Sequence, residues 1–253
     1  MAPDDHRVPQ GGGSVVVTVA LCLLALCACA GLPPLKPPVP GADLDAAAPF
    51  PQGRWQLVHR IEARFPGDHK ALMMGALELD SATGHLTCAL MTVEGFTLFS
   101  ASKTDRLRVE RAVPPFDGPG FAEGLLADLG LIFFAPPGAR LAVGAVDNRP
   151  VRRYLHPDGS TTDVVAVAVA DAGDRFRIDR YTADAKRFRR AELTLQPATQ
   201  DHHGGIAAEI LLEASGKAAY TLRLDLIDAI PLCGSPGSPH DNFSNGKDPK
   251  DSP

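Results

Sequence analysis

The chain has 253 residues, a formal net charge of −5 and a pI near 5.9. Apolar residues make up 45% and charged residues 22%, which is typical of a folded protein and excludes disorder of the whole chain. The acidic balance also argues against nucleic-acid binding, because such binding normally needs a concentrated cationic surface.

The N-terminal segment contains an uncharged, proline-free apolar run over 15–28. Its 14 residues are too few to span a bilayer but match the hydrophobic region of a signal peptide. The run leads into Leu26-Cys27-Ala28-Cys29, which resembles the lipobox of bacterial lipoproteins, with Leu26 and Ala28 at positions −3 and −1 from Cys29. We therefore predict a lipoprotein signal peptide over 1–28 and lipidation of Cys29. The alternatives are an ordinary secretory signal, cleaved after Ala28 or Ala30, and a buried apolar segment.

Lipidation would attach the protein to a membrane without making it span the bilayer. Each buried methylene contributes about 0.8 kcal/mol, so two or three acyl chains anchor a protein effectively permanently. In many Gram-negative bacteria Asp after the lipidated cysteine retains lipoproteins at the inner membrane, and this chain has Ala30 there. The resemblance therefore implies a location in the bacterial cell envelope, at the outer membrane and facing the periplasm.

Proline and glycine divide the rest of the chain. Residues 29–53 contain seven prolines and are predicted to form an acyl-anchored, semi-rigid stalk. Residues 233–253 have one large apolar side chain, Phe243, and are predicted to be a disordered tail. The folded domain is therefore predicted over 54–232.

The dominant hydrophobic period inside this domain is two, which is typical of half-buried antiparallel strands. Short separators rich in Gly, Pro and Asp indicate hairpins rather than crossovers. About 11 strands are predicted, near 55–65, 70–79, 84–92, 95–102, 105–113, 151–155, 163–170, 174–183, 187–196, 206–213 and 220–226.

One amphipathic helix is predicted over 121–135. Phe121, Leu125, Leu129 and Phe133 recur at intervals of four, and Pro136-Pro137 ends the pattern. The polar side chains of Glu123 and Asp128 are expected to face away from the core. A single helix within a long meander favours a mainly β fold, in which the helix plugs a sheet that curls without closing.

Two segments carry a family resemblance. Leu125-Leu126-Ala127-Asp128-Leu129, followed by an apolar run and proline, and the strand–loop–strand segment 89–100 resemble the LolA/LolB superfamily, within it a group of LolB-like bacterial lipoproteins. The resemblance covers about 54–227. It implies an incomplete antiparallel β-barrel of about eleven strands, with a helical plug over an apolar cavity that receives acyl chains.

The resemblance also implies candidate site residues. The candidate cavity-lining residues are Leu72, Met74, Leu98, Leu125, Leu129 and Phe133, for which plain core packing is the equal alternative. The loop Val93-Glu94-Gly95-Phe96 corresponds to a membrane-active loop in LolB and is the candidate membrane-facing segment. Glu94 stands where LolB has an exposed leucine.

No motif indicates catalysis. The chain has no Gly-Xaa-Ser-Xaa-Gly, P-loop or His-Glu-Xaa-Xaa-His pattern, so we predict no catalytic residue, no metal site and no cofactor. His59 lies on the apolar face of the first strand, where a hydrogen-bonded core or cavity-mouth histidine is expected and a role as an acid or a ligand is the alternative. Cys88 and Cys233 would be free to pair in an oxidising periplasm, or Cys88 is a plain buried thiol.

These features predict a non-enzymatic, membrane-anchored module. Its expected partners are the membrane, through acylated Cys29, the acyl chains of a lipoprotein or lipid, and a periplasmic carrier protein. The expected role is transfer of the cargo to the outer membrane. The alternative is an envelope scaffold with a filled core and no lipid cargo.

Overall fold

The structure, a computed structural model, describes residues 31–38, 49–168, 174–197, 205–216 and 219–232. The predicted signal peptide over 1–28, Cys29, Cys233 and the predicted tail lie outside these residues, so the predictions for them stay predictions. Within the described residues, no helix combines the length and the apolar character needed to cross a bilayer.

The described residues form twelve antiparallel strands and one helix, α1 (Phe121–Phe133). The strands are β1 (Arg54–Arg64), β2 (Lys70–Asp80), β3 (His85–Met91), β4 (Thr97–Lys103), β5 (Leu107–Ala112), β6 (Ala139–Val146), β7 (Arg149–Leu155), β8 (Thr161–Ala168), β9 (Arg175–Tyr181), β10 (Arg187–Leu195), β11 (Ala207–Ala214) and β12 (Tyr220–Pro231).

All the strands belong to one sheet, in the order β5-β4-β3-β2-β1-β12-β11-β10-β9-β8-β7-β6. Neighbours in the sheet are neighbours in the chain except at the centre, where β1 pairs with β12. The two ends of the sheet are therefore β5 and β6, the strands that precede and follow α1. The prediction of a mainly β, incomplete antiparallel barrel with a helix is confirmed.

The prediction missed one strand, β6. Its segment, Ala139–Val146, follows Pro136-Pro137, is rich in alanine and includes Gly144, so its β propensity is low. The strand is marked instead by the turn that follows it. Asp147 and Asn148 both have positive φ, at 51° and 59°, as a two-residue type I′ hairpin requires. This turn leads directly into β7.

The core lies on one face of the sheet. Alternate residues of β1, such as Leu57 and Ile61, are buried together with Leu77 of β2. Ile132 and Phe133 of α1 join the same cluster, so the helix covers this face. The helix begins and ends close to its predicted limits: Gly120 precedes it with φ of 79°, and Phe134 is extended.

Part of the predicted stalk packs against the sheet. We call residues 31–38 the proline strap. The backbone N–H of Lys36 donates to the carbonyl of Ala145 at 2.9 Å, and the N–H of Ala145 donates to the carbonyl of Lys36 at 2.9 Å. Arg153 donates from Nη2 to the carbonyl of Pro33 at 2.9 Å while both its Nε and Nη2 bind Asp163 at 2.7 Å. The strap is therefore tied to β6 and β7.

Gly144 allows this close contact. A Cβ at this position would lie 2.6 Å from the carbonyl oxygen of Lys36 and 3.0 Å from the Cβ of Leu35. Real Cβ atoms do not approach a backbone oxygen so closely, so a side chain at Gly144 and the docked strap exclude each other.

We expect Gly144→Ala to release the strap without unfolding the sheet. The amides of Lys36 and Ala145 should then exchange with deuterium about tenfold faster, since each loses one hydrogen bond. Gly130→Ala is the matched control, because a Cβ there meets nothing within 4 Å. Equal exchange in the two variants would contradict the docking of the strap.

Candidate functional site

A cavity of about 510 Å³ lies between the core face of the sheet and α1. This volume falls in the range of about 300–1,000 Å³ that is usual for small-molecule sites. Most of its wall is hydrocarbon, including Ile61, Leu77, Leu90, Leu212 and Leu224 from the sheet. Such a wall suits an apolar ligand.

Loops form the wall at one end of the cavity. Phe65 and Pro66 follow β1, Gly118–Gly120 precede α1, and Ala219 precedes β12. Phe65 lines the cavity and is also 41% exposed, so this end is the mouth.

The helix supplies the opposite wall. Leu125, Leu129 and Phe133, three of the predicted cavity-lining residues, lie there at intervals of four, because such positions share one face of a helix. Phe121 and Gly124 extend the same face toward the mouth.

The other three predicted lining residues lie elsewhere. On β2, Met73 and Leu77 are buried and line the cavity together with Gly75 and Ala76. Leu72 is 52% exposed, and Met74 alternates to the other face. A shift of one residue in a strand changes the face, and the apolar residues on both faces of β2 left the choice open in the sequence. Leu98 packs against the core beside Phe99 and is not part of the cavity wall.

Asp128 corrects a second expectation. It does not face away from the core: it is 3% exposed and lies in the cavity wall. Its carboxylate accepts a hydrogen bond from Nε of Arg189 at 2.7 Å and another from the hydroxyl of Tyr220. Both partners come from distant strands, β10 and β12, so periodicity within the helix had no means of revealing them.

Asp128, Arg189 and Tyr220 form a satisfied polar group near the mouth, which we call the helix clamp. The guanidinium of Arg189 also lies 5.6 Å from the ring centroid of Tyr220. Burial raises the pKa of Tyr220, and the neighbouring Asp128 raises it further, so the hydroxyl stays protonated and donates. The clamp ties the middle of α1 to the sheet.

His59 of β1 is a further polar residue on the sheet side of the cavity. It is 3% exposed, and its Nε2 is buried without a hydrogen-bond partner among the described residues. Burial lowers the pKa of His59 to about 4, against a smaller raising effect of Asp225, so the imidazole is neutral at pH 7. Its ring centroid lies 5.9 Å from that of Phe133.

The loop between β3 and β4 is exposed at the mouth end of the sheet. Register places Met91 of β3 opposite Met74, and Met73 opposite Ile61, so this loop and the β1–β2 turn lie at the same end. Val93 is 60% and Phe96 72% exposed.

A tight turn shapes this loop. Thr92 donates its N–H to the carbonyl of Phe96, and Gly95 takes φ of 92°, a conformation that favours glycine. The hydroxyl of Thr92 bonds to Glu94 and lowers the pKa of that carboxyl, so Glu94 is charged at neutral pH.

The remaining candidates are a thiol and metal ligands. Cys88 is buried in the cavity wall, and burial raises the pKa of its thiol to about 11. Its predicted partner, Cys233, lies outside the described residues, so the disulfide stays a prediction. Within the part of the chain that the structure describes, no three His, Cys, Asp or Glu side chains cluster as metal ligands.

Comparisons with known proteins give similarity in structure alone. No protein-family model and no curated protein matches the chain. A LolA superfamily protein from Nitrosomonas europaea matches with a TM-score of 0.48 and 13% identity, over 74% of this chain and 89% of that chain. The chain is similar in structure to a LolA superfamily protein. A putative outer membrane lipoprotein-sorting protein domain from Vibrio parahaemolyticus matches with a TM-score of 0.37 and 10% identity, over 70% of this chain and 85% of that chain.

We expect Asp128→Ala to lower the free energy of unfolding by about 2 kcal/mol, because it leaves the guanidinium of Arg189 half-buried and unpaired. Glu123→Ala on the same helix removes an exposed carboxylate and is the control. Urea unfolding followed by circular dichroism measures both. A loss no larger than that of the control would show that the clamp adds nothing to stability.

Proposed function

We propose that the protein is a lipid-anchored envelope protein that binds acyl chains of a lipid or lipoprotein in the cavity under α1 and transfers them to the outer membrane. The observation that carries this proposal is the 510 Å³ apolar cavity between sheet and helix. A scaffold with a filled core would not leave such a space.

Burial of hydrocarbon supplies enough free energy for a carrier without any chemical step. About ten methylenes, at about 0.8 kcal/mol each, contribute about 8 kcal/mol before the costs of association. A ligand held by hydrocarbon contacts alone is also released readily to another apolar phase, which is what delivery to a membrane requires.

The mouth of the cavity supports a membrane-facing role for the loop Val93–Phe96. Val93, Phe96, Leu72 and Phe65 are exposed apolar side chains at this end of the sheet. Exposed apolar side chains that share one end of a sheet are suited to contact with a membrane or a protein. The charged carboxylate of Glu94 favours seating of the loop among head groups rather than in the hydrocarbon. The mouth would then open at the membrane surface.

Lipidation of Cys29 is the second element of the proposal. It would keep the domain at the membrane, and a periplasmic carrier protein would deliver the cargo to it.

Gly124→Leu should block ligand binding. Gly124 lines the cavity and nothing lies within 4 Å of an added Cβ, so a leucine there would occupy the ligand space. Gly130→Leu is a matched control in the same helix: it also meets nothing within 4 Å but does not line the cavity. Both changes improve helix propensity by about 0.5–1 kcal/mol, so any difference in binding comes from the cavity.

The measurement is uptake of a fluorescent fatty acid by the purified chain, with mass spectrometry of organic extracts for co-purified lipid. We expect Gly124→Leu to weaken binding at least about tenfold, since it removes burial of several methylenes. The control should bind as the wild type does. No uptake and no extracted lipid in the wild type would leave the scaffold as the better description.

Cys29→Ala should release the protein from membranes, because the acyl chains hold it there. Cys27→Ala is the control, since Leu26 stands directly before Cys27 and fits the lipobox poorly. Fractionation of bacterial envelopes measures both variants. Unchanged membrane association of Cys29→Ala would refute the anchor and leave the cavity proposal standing.

A further inference from the structure

His59 is the one cavity-wall residue whose buried side-chain nitrogen lacks a partner within the described residues. The other polar side chains of the wall, Asp128, Arg189 and Tyr220, bind one another in the helix clamp. A buried polar atom without a partner destabilises a fold by about 1–3 kcal/mol, so its presence needs an explanation.

The neighbours of His59 offer no partner for Nε2. Register places Gly75 of β2 and Leu226 of β12 opposite it, and the ring of Phe133 packs beside it. An ordered water is a poor substitute, because a buried water needs two to four polar partners and His59 supplies one.

His59 also lies far from the mouth. It stands six residues before Phe65 along β1, which corresponds to about 20 Å at about 3.3 Å per residue. A ligand whose head group stays at the mouth would therefore bring the distant part of its chain to His59.

We infer that the inner end of the cavity binds a hydroxyl group on the ligand, so that the preferred cargo is an acyl chain hydroxylated far from its head group. This inference rests on the proposed function. A plain alkyl chain would leave Nε2 unpaired, and a carboxylate would place a charge in a hydrocarbon-lined space.

A hydroxyl fits the chemistry of this imidazole better than a carbonyl does. The neutral ring of His59 has one N–H and one lone pair, and which nitrogen carries the proton depends on its surroundings. A hydroxyl both donates and accepts, so it pairs with either tautomer. A carbonyl only accepts, so it pairs with one.

The experiment compares palmitate with ω-hydroxypalmitate, and stearate with 12-hydroxystearate, as competitors of a fluorescent fatty acid on the full chain. The variants are the wild type, His59→Leu and His59→Gln. Leucine removes the polar group, whereas the amide of glutamine can still donate a hydrogen bond to a hydroxyl group or accept one from it.

We expect His59→Leu to weaken binding of at least one hydroxylated acid about two- to tenfold, the effect of one hydrogen bond. Binding of both parent acids should stay unchanged or strengthen, and His59→Gln should restore part of the preference. Equal effects of His59→Leu on a hydroxylated acid and its parent, for both pairs, would overturn the inference.

A second measurement uses the wild type alone, so its result does not depend on whether the His59 variants fold. In the wild type with ¹⁵N-labelled histidine, ω-hydroxypalmitate or 12-hydroxystearate should shift the Nε2 resonance of His59, and the parent acids should not. The same shift with parent and hydroxylated acids would contradict the inference. If the wild type binds none of the four acids, the proposed function fails and this inference falls with it.

Discussion

The pairing of β1 with β12 is the contact on which the rest of the molecule depends. It joins the two ends of the folded chain at the centre of the sheet, and the ion pair of Arg60 with Asp225, 165 residues apart at 2.6 Å, lies on this pair. Because the chain ends occupy the centre, the edges must be β5 and β6, the strands that flank α1. The helix is thereby placed between the two open edges, over the core face. The cavity is the space left between the helix and the sheet, so its existence depends on the topology more than on any single side chain.

Two polar elements divide this apolar space into distinct ends. Near the mouth, the buried carboxylate of Asp128 accepts hydrogen bonds from Arg189 and Tyr220 in place of water, and these bonds fix the position of the helix over the sheet. Farther in, His59 is equally buried but has no such partner. The first arrangement serves the fold, since every member is satisfied. The unpartnered Nε2 of His59 contributes nothing to stability that the described residues reveal. Buried polar groups that lower stability in this way are typical of sites that recognise a ligand.

The sequence was informative where one face of an element is apolar and the other polar. The alternation of β1 and the spacing of Phe121, Leu125, Leu129 and Phe133 predicted a strand, a helix and three residues of the cavity wall. Prediction failed where the deciding information lies in another part of the chain. Because β2 is apolar on both faces, its sequence did not show which face lines the cavity, and the prediction chose that of Leu72 and Met74. Register with β1 determines that the other face is buried. The partners of Asp128 come from strands about sixty and ninety residues away, and β6 depends on a turn rather than on its own residues.

The proline strap changes what the N-terminal segment does for a lipid-anchored protein. A free stalk of 25 residues would let the domain sample a wide volume above the bilayer, at low effective concentration near any one lipid. With Pro33 held by Arg153, Cys29 stands only four positions before the held residue, a reach of at most about 14 Å. Acylation of Cys29 would therefore keep the β6–β7 edge beside the head groups and limit how far the domain can tilt. The orientation of the domain at the membrane would then be a property of the resting protein, present before any cargo arrives.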